Sequence, residues 1–271
     1  MKPAPFSYIR VATVEEAANA LSEYTDAKLL AGGQSLIPLM NYRLSKPTVL
    51  IDLCGIEAFA SVSLKDDVFT IRAGITHQSL HEHPLVRAYA PVLAECAGEV
   101  GHWAIRNRGT LGGSLAHADP ASELPAAMVA LDARFVLTSV RGERTVTARD
   151  FYLGLFTTDL AEDEILTRIH FFASSANRIH FAEIARRPGD FALSGAFVRV
   201  EESATEITWF GVSDMPYHLT LDALPVEEKA RQALFTSLAS TLEPLDQTVY
   251  RRKLAAVVAE RAYLKGRRVQ A

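Results

Sequence analysis

Apolar residues in this chain recur at helical spacing in some stretches and at strand spacing in others, an alternation that predicts an α+β protein. Thr13-Val14-Glu15-Glu16 reads as a capping box, with the threonine accepting from first-turn amides and Glu16 reaching back. The helix it opens carries Ala17, Ala18, Ala20 and Leu21 as its apolar stripe. Residues 28–31 follow as a short strand running straight into Gly32-Gly33. A helical pattern over 35–43 and a strand over 48–53, stopped at Gly55, complete an α+β unit of roughly fifty residues.

The pattern then predicts a strand over 68–73, a helix from Thr76, and a longer helix over 84–98. Residues 101–120 hold so many turn formers that no regular element is expected through most of them, and a loop that long in a compact domain is usually functional. A helix over 123–131 and strands over 134–139, 145–147 and 165–172 come next. Toward the C-terminus, strands are expected over 178–186, 195–201 and 206–212, and amphipathic helices over 225–238 and 247–265. In the last helix Leu254, Val257, Val258, the stem of Arg261 and Leu264 share a face that should pack on the core. The result is a mixed sheet flanked by helices, with borders near residues 54 and 174.

Composition narrows the function classes. The 271 residues are 49% hydrophobic and 22% charged, a globular balance, and the net charge of −4 without a run of like charges leaves no footprint for nucleic acid or anionic lipid. The basic stretch 251–268 reads as a solvated helix face. Cys54 and Cys96 lack CxxC spacing, which excludes a self-contained iron–sulfur or four-cysteine zinc site and predicts two buried free thiols. No apolar run reaches the roughly 18 residues of a membrane span, and no signal region opens the chain, so a cytoplasmic location is expected. His77 and His81 have helical zinc spacing, yet HExxH and a third ligand are missing; no metal ligand is assigned, and surface or capping roles are expected. His102-Trp103 reads as loop packing beside the glycine-rich stretch. No GxSxG elbow supports hydrolase chemistry.

Two glycine-rich strings carry the chemistry: Ala31-Gly32-Gly33-Gln34-Ser35-Leu36 and Gly109-Thr110-Leu111-Gly112-Gly113-Ser114-Leu115. Without side chains, the amides of such turns can converge on an anion, and a helix starting at Ser35 adds its dipole. A pair of these turns suits a diphosphate. Neither string is GxxxxGK[ST] or GxGxxG, and neither has a lysine for a terminal phosphate, which favours holding a diphosphate diester over phosphoryl transfer.

At these residues the sequence resembles the FAD-binding medium subunits of molybdenum hydroxylases, the carbon monoxide and xanthine dehydrogenase family. Three strings carry the resemblance: AKLLAGGQSLIPLMNYRL at 27–44, IRNRGTLGGSLAHADPASELPA at 105–126, and ARRPGDFAL at 185–193. The resemblance implies an FAD-binding fold of two α/β subdomains, 1–54 and 55–173, cradling FAD, with a C-terminal α+β domain over 174–271. It makes 28–36, opening with Lys28 and Leu29, the first cofactor loop, with Ala31, Gly32, Gly33, Gln34 and Ser35 wrapping the diphosphate and Leu36 toward the flavin. Thr110, Leu111, Gly112, Gly113 and Ser114 form the second wall. Glu123 reaches the cofactor, Leu166 packs on it, and Asp119 fixes its loop or touches FAD. Phe191 stands where some relatives carry a tyrosine over the ring, and Glu183 falls where several place a lysine.

The resemblance also implies a small iron–sulfur subunit and a large subunit holding the molybdenum cofactor, assembled as a dimer of heterotrimers, with electrons passing through FAD to an external acceptor. No catalytic residue is assigned in this chain. Two other readings stay open: a stand-alone FAD-dependent oxidoreductase of the related flavin fold, and a scaffold subunit that has lost FAD.

Overall fold

A computed structural model describes residues 2–201, 203–244 and 249–270. The N-terminal unit is a three-stranded parallel sheet in the order β1-β3-β2, formed by β1 (Ser7–Arg10), β2 (Ala27–Leu30) and β3 (Val49–Asp52). Helix α1 (Val14–Glu23) crosses between β1 and β2, and α2 (Leu36–Asn41) between β2 and β3. Thr13 caps α1 by accepting from the Glu16 amide, and the Glu16 carboxylate accepts from the Ala12 amide at 2.7 Å, one residue earlier than an ideal box. Ala17, Ala18, Ala20 and Leu21 are buried as expected. All four residues of β3 are buried, as befits the central strand. The edge strand β1 has no fully buried residue, and only Ile9 packs against the core, so the sequence pattern does not predict it.

Two 3-10 turns, Leu53–Gly55 and Glu57–Ala60, lead into the middle unit. Its elements are β4 (Val62–Lys65), β5 (Val68–Arg72), α3 (His77–Glu82), α4 (Pro84–Tyr89), α5 (Pro91–Glu99), α6 (Trp103–Arg106), α7 (Leu111–His117) and α8 (Glu123–Ala130). They are followed by β6 (Arg134–Ser139), β7 (Gly142–Thr147), α9 (Ala148–Phe151), β8 (Tyr152–Gly154), β9 (Thr157–Thr158) and β10 (Ile165–Phe172). Five strands form an antiparallel sheet, β4-β5-β10-β6-β7.

Two expectations need correction here. The helix predicted over 84–98 is two helices, because Pro91 has no amide to donate and starts a new helix after Ala90. The stretch 101–120 is not irregular: it contains α6 and α7, and α7 forms because Thr110 caps it while Leu111 and Leu115, one turn apart, are both buried.

Helix α10 (Ala173–Ala176) leads to an antiparallel meander of β11 (Ile179–Ala185), β12 (Ala192–Val200), β13 (Ala204–Phe210) and β14 (Tyr217–Asp222). Helices α11 (Glu228–Ser240) and α12 (Val249–Gln270) cover one face; positions 247 and 248 of the predicted last helix lie outside the described residues. The face of α12 that packs shares Val258 with the predicted one but is otherwise different. Ala255, Val258, Ala259, Ala262 and Tyr263 are buried, whereas Val257 is 41% and Leu264 39% exposed. Small residues win that face because they let the helix approach the sheet closely: a side chain at Gly266 would meet the His180 ring at 2.6 Å, and the Trp209 indole donates to the Ala255 carbonyl at 3.0 Å. Nor is the basic stretch simply solvated, since Arg251 donates to the Leu193 carbonyl at 2.8 Å and Lys265 to Glu95 at 2.8 Å.

A continuous core joins the first two sheets and reaches Phe181, Phe197 and Phe210 of the third, while a second core lies under α11 and α12. No helix among the described residues is long and apolar enough to cross a membrane. Of the two free thiols, Cys96 is buried as expected, but Cys54 is exposed at the mouth of a cavity described next.

Candidate functional site

Strand β2 delivers the first glycine string to the end of the parallel sheet. Gly33 takes φ +72°, a left-handed conformation that favours glycine. The turn is closed by the Gln34 side-chain amide donating to the Gly32 carbonyl at 2.9 Å and by Ile37 N–H donating to Gly33 O at 3.1 Å. Among the described residues, the amides of Gly32, Gly33, Gln34 and Ser35 have no acceptor, and Ser35 starts α2 without a side-chain cap bond. Four consecutive donors are thus directed away from the fold's own acceptors.

The second string is built differently from the expected bare turn. Leu111 N–H donates to Ile75 O (2.9 Å), Gly112 to Ala73 O (2.7 Å), Gly113 to the Thr110 hydroxyl (3.2 Å) and Ser114 to Thr110 O (3.0 Å). These amides are spent. What the string offers is a wall: the capped start of α7, held so close to β5's end that a side chain at Gly112 would strike Ala73 at 2.5 Å.

The two strings meet. A Cβ on Gly32 would collide with the Arg108 carbonyl group, 2.6 Å from its carbon, and stand 2.7 Å from the Gly109 Cα. A Cβ on Gly113 would sit 4.0 Å from that of Ala31. The third string joins at the lead-in to the second, where Gly189 (φ +81°) packs on Gly101, its Cβ position 2.5 Å from the Gly101 carbonyl oxygen. Phe191, two residues on, leaves 62% of its surface exposed.

Beside the first string lies a cavity of about 420 Å³, lined by Leu30, Ala31, Gly32, Gly33, Gln34, Asp52, Cys54 and Arg108 among others. Asp52 accepts from the Tyr8 hydroxyl and, at 2.8 Å, from the Cys54 amide. Lys28 is not gathered here: it lines a second cavity of about 490 Å³ with Asp26, Lys46 and Asp163. Leu29 and Leu36 are half-buried on either side of the turn. Leu166 is buried on β10, opposite Leu137 at a bulge. Asp119 holds its own loop, accepting from the Ala121 amide at 2.9 Å.

His77, expected in a surface or capping role, is buried instead. It is 3% exposed, and its Nε2 lies 2.9 Å from the Thr110 carbonyl oxygen and 3.0 Å from the Ser114 hydroxyl, so this nitrogen carries the proton and donates. The His77 amide donates to Gly109 O at 2.9 Å. The imidazole therefore braces the second wall from behind. Burial lowers its pKa to about 4, which keeps it neutral.

Glu123, the first residue of α8, is 3% exposed, and burial followed by the Glu183 carboxylate pushes it up to about 8. Glu183 on β11, with one carboxylate oxygen buried and unpartnered, is itself raised to about 7 by burial and then by Glu99.

These shifts set opposite pH arms for the flavin-free chain. His77, depressed in the fold, contributes stability that is full above its unfolded value of 6.5 and lost as pH falls toward about 4. Glu123, raised in the fold, contributes stability present below its unfolded value of 4.5 and lost as pH rises through about 8. Thermal melts from about pH 6 to about pH 9 should therefore decline in the wild type and decline less in Glu123→Gln. Parallel curves would refute the assignment.

Residues 4–171 match the family described as the FAD binding domain in molybdopterin dehydrogenase. This chain belongs to that family. It is 38% identical over 208 residues to the nicotine 6-hydroxylase medium subunit of Paenarthrobacter nicotinovorans, spanning 77% of this chain and 73% of that one. In structure it resembles quinoline 2-oxidoreductase from Pseudomonas putida 86 (TM-score 0.92, 33% identity, 99% of both chains). Carbon monoxide dehydrogenase from Hydrogenophaga pseudoflava, in a form lacking the Mo-pyranopterin moiety of the molybdenum cofactor, is similar as well (TM-score 0.91, 32% identity, 99% of both chains). The flavoprotein is thus an oxidoreductase component with the α+β FAD-binding fold: two α/β units followed by a sheet-and-helix unit. The residues at the paired strings fit the cofactor's diphosphate, because unpartnered amides, a side-chain-free contact and Arg108 meet at one edge.

Proposed function

We propose that this chain is the FAD-binding electron-transfer subunit of a heterotrimeric, cytoplasmic molybdenum hydroxylase. In that complex a small subunit carries the iron–sulfur clusters and a large subunit the molybdenum cofactor, the whole assembling as a dimer of heterotrimers. When bound, FAD accepts electrons and passes them to an external acceptor; the protein supplies binding, orientation and electrostatics.

The observation that carries this reading is the run of unpartnered amides at Gly32, Gly33, Gln34 and Ser35, closed by the contact of Gly32 with Arg108 and Gly109. In our reading these amides hold the diphosphate, with Ala31 beside them and Leu36 toward the flavin. Thr110, Leu111, Gly112, Gly113 and Ser114 form the opposing wall by shape. Lys28 and Leu29 lead into this first loop, Leu166 packs on the cofactor, and Glu123 reaches it beside the loop fixed by Asp119. Phe191 shields the ring by stacking, without a hydroxyl to hydrogen-bond. The units are divided at 54 and 174. No side chain here is required as a base or nucleophile toward the substrate, which is consistent with chemistry housed in another subunit.

Release of the noncovalent flavin from the native complex by heat or acid, with chromatography of the extract, tests the reading. FAD in a stoichiometry of one per copy of this chain is expected. A colourless complex would favour the scaffold reading, and steady turnover of simple alcohols or NADH by the isolated chain would favour a stand-alone oxidoreductase.

A further inference from the structure

Among the residues lining the glycine-string cavity, Arg108 is the cation without an assigned task. Its backbone is fixed twice: its amide and that of Gly109 both donate to the Ile105 carbonyl, at 3.1 and 2.7 Å, and its own carbonyl abuts Gly32. The base of the side chain is therefore tied to the turn that carries the unpartnered amides. The side chain is exposed, lines the cavity beside Gly32–Gln34, and acts electrostatically on the Cys54 thiol in the same cavity. Among the described residues no carboxylate lies within salt-bridge distance of its guanidinium. The carboxylate that lines this cavity, Asp52, is already engaged by the Tyr8 hydroxyl and the Cys54 amide.

An exposed guanidinium that lines the same cavity as four amides without acceptors puts a full positive charge and a row of donors at one edge, the chemistry of an anion site. We propose that Arg108 reaches the diphosphate of the bound dinucleotide and supplies the positive charge that the lysine-free first string lacks. The inference rests on the flavin reading above and gives the residue just before the second string a task that the string's spent amides cannot perform. A guanidinium offers a planar fork to phosphate oxygens, which an ammonium group cannot reproduce, so Arg108→Lys should retain only part of the effect.

The test is binding of FAD and of riboflavin, which has no phosphate, to the flavin-free full chain, followed by quenching of flavin fluorescence at low and high salt. Arg108→Gln should weaken FAD about tenfold and flatten the salt dependence, since charge attraction is screened as ionic strength rises. Arg108→Lys should fall between Gln and wild type, and riboflavin should bind all three alike. The inference is overturned if FAD affinity of Arg108→Gln stays within about twofold of wild type, a difference near 0.4 kcal/mol, or if FAD and riboflavin weaken together, the signature of a merely structural role. Failure of the wild type to bind FAD would instead overturn the flavin reading, and this inference with it.

Discussion

Gly32→Ala is expected to strip the chain of FAD. The new methyl would lie 2.6 Å from the Arg108 carbonyl carbon and 2.7 Å from the Gly109 Cα, and both obstacles are backbone that cannot rotate away. Relief requires the first string to part from the second, which breaks the cradle. Overpacking of this kind costs about 1–3 kcal/mol, and an equal loss of binding free energy corresponds to a weakening of up to about a hundredfold. Gly33→Ala should be milder. Its methyl would meet the movable side-chain ends of Ile37 and Leu30 at 3.1 and 3.3 Å, leaving mainly the φ +72° penalty, about 1–2 kcal/mol. Titration of both variants with FAD, followed by flavin fluorescence, checks the order. Gly32→Ala binding as tightly as Gly33→Ala would refute it.

The second large effect belongs to His77. Truncation to alanine removes a buried ring, opens a cavity and leaves the Thr110 carbonyl without its imidazole donor. Those terms together suggest a loss of about 3 kcal/mol, which for a chain of this size lowers the melting temperature by roughly 6–12 °C. FAD affinity should fall as well, because Thr110 and Ser114 lose their brace. His77→Gln, which can still donate to Thr110, should recover part of both. A melting shift under about 2 °C for His77→Ala would show that the ring supports nothing.

Much of the fold was legible in the sequence where one residue's neighbours along the chain decide its state. Strands β6 and β10 fall where predicted, to the residue, since most of their positions are apolar or β-branched and buried. Strands β1, β4 and β14, with no buried residue, sit at sheet edges, and the alternation in β4 and β14 is too short and too shallowly buried to stand out. Helix α7 was hidden by its glycines, although Thr110 with Leu111 and Leu115 spells a cap and an apolar pair; glycine there serves close packing on Ala73, not a turn. In α12 large apolar residues drew attention to the wrong face, because the sheet selects small ones.

The site divides the same way. The strings themselves were readable, and so was the need for glycine at positions 32 and 33. Which string keeps its amides free depends on Ala73 and Ile75, which accept from Gly112 and Leu111 across the fold. The parts played by His77 and Arg108 likewise depend on contacts between segments distant in sequence. No local pattern announces them.

A density map of the native complex tests the central claim most directly. The account predicts the FAD diphosphate against the amides of Gly32, Gly33, Gln34 and Ser35, with Thr110 and Gly113 on the opposite side. Another group lodged at those amides, or FAD bound with its diphosphate elsewhere on the chain, would contradict it.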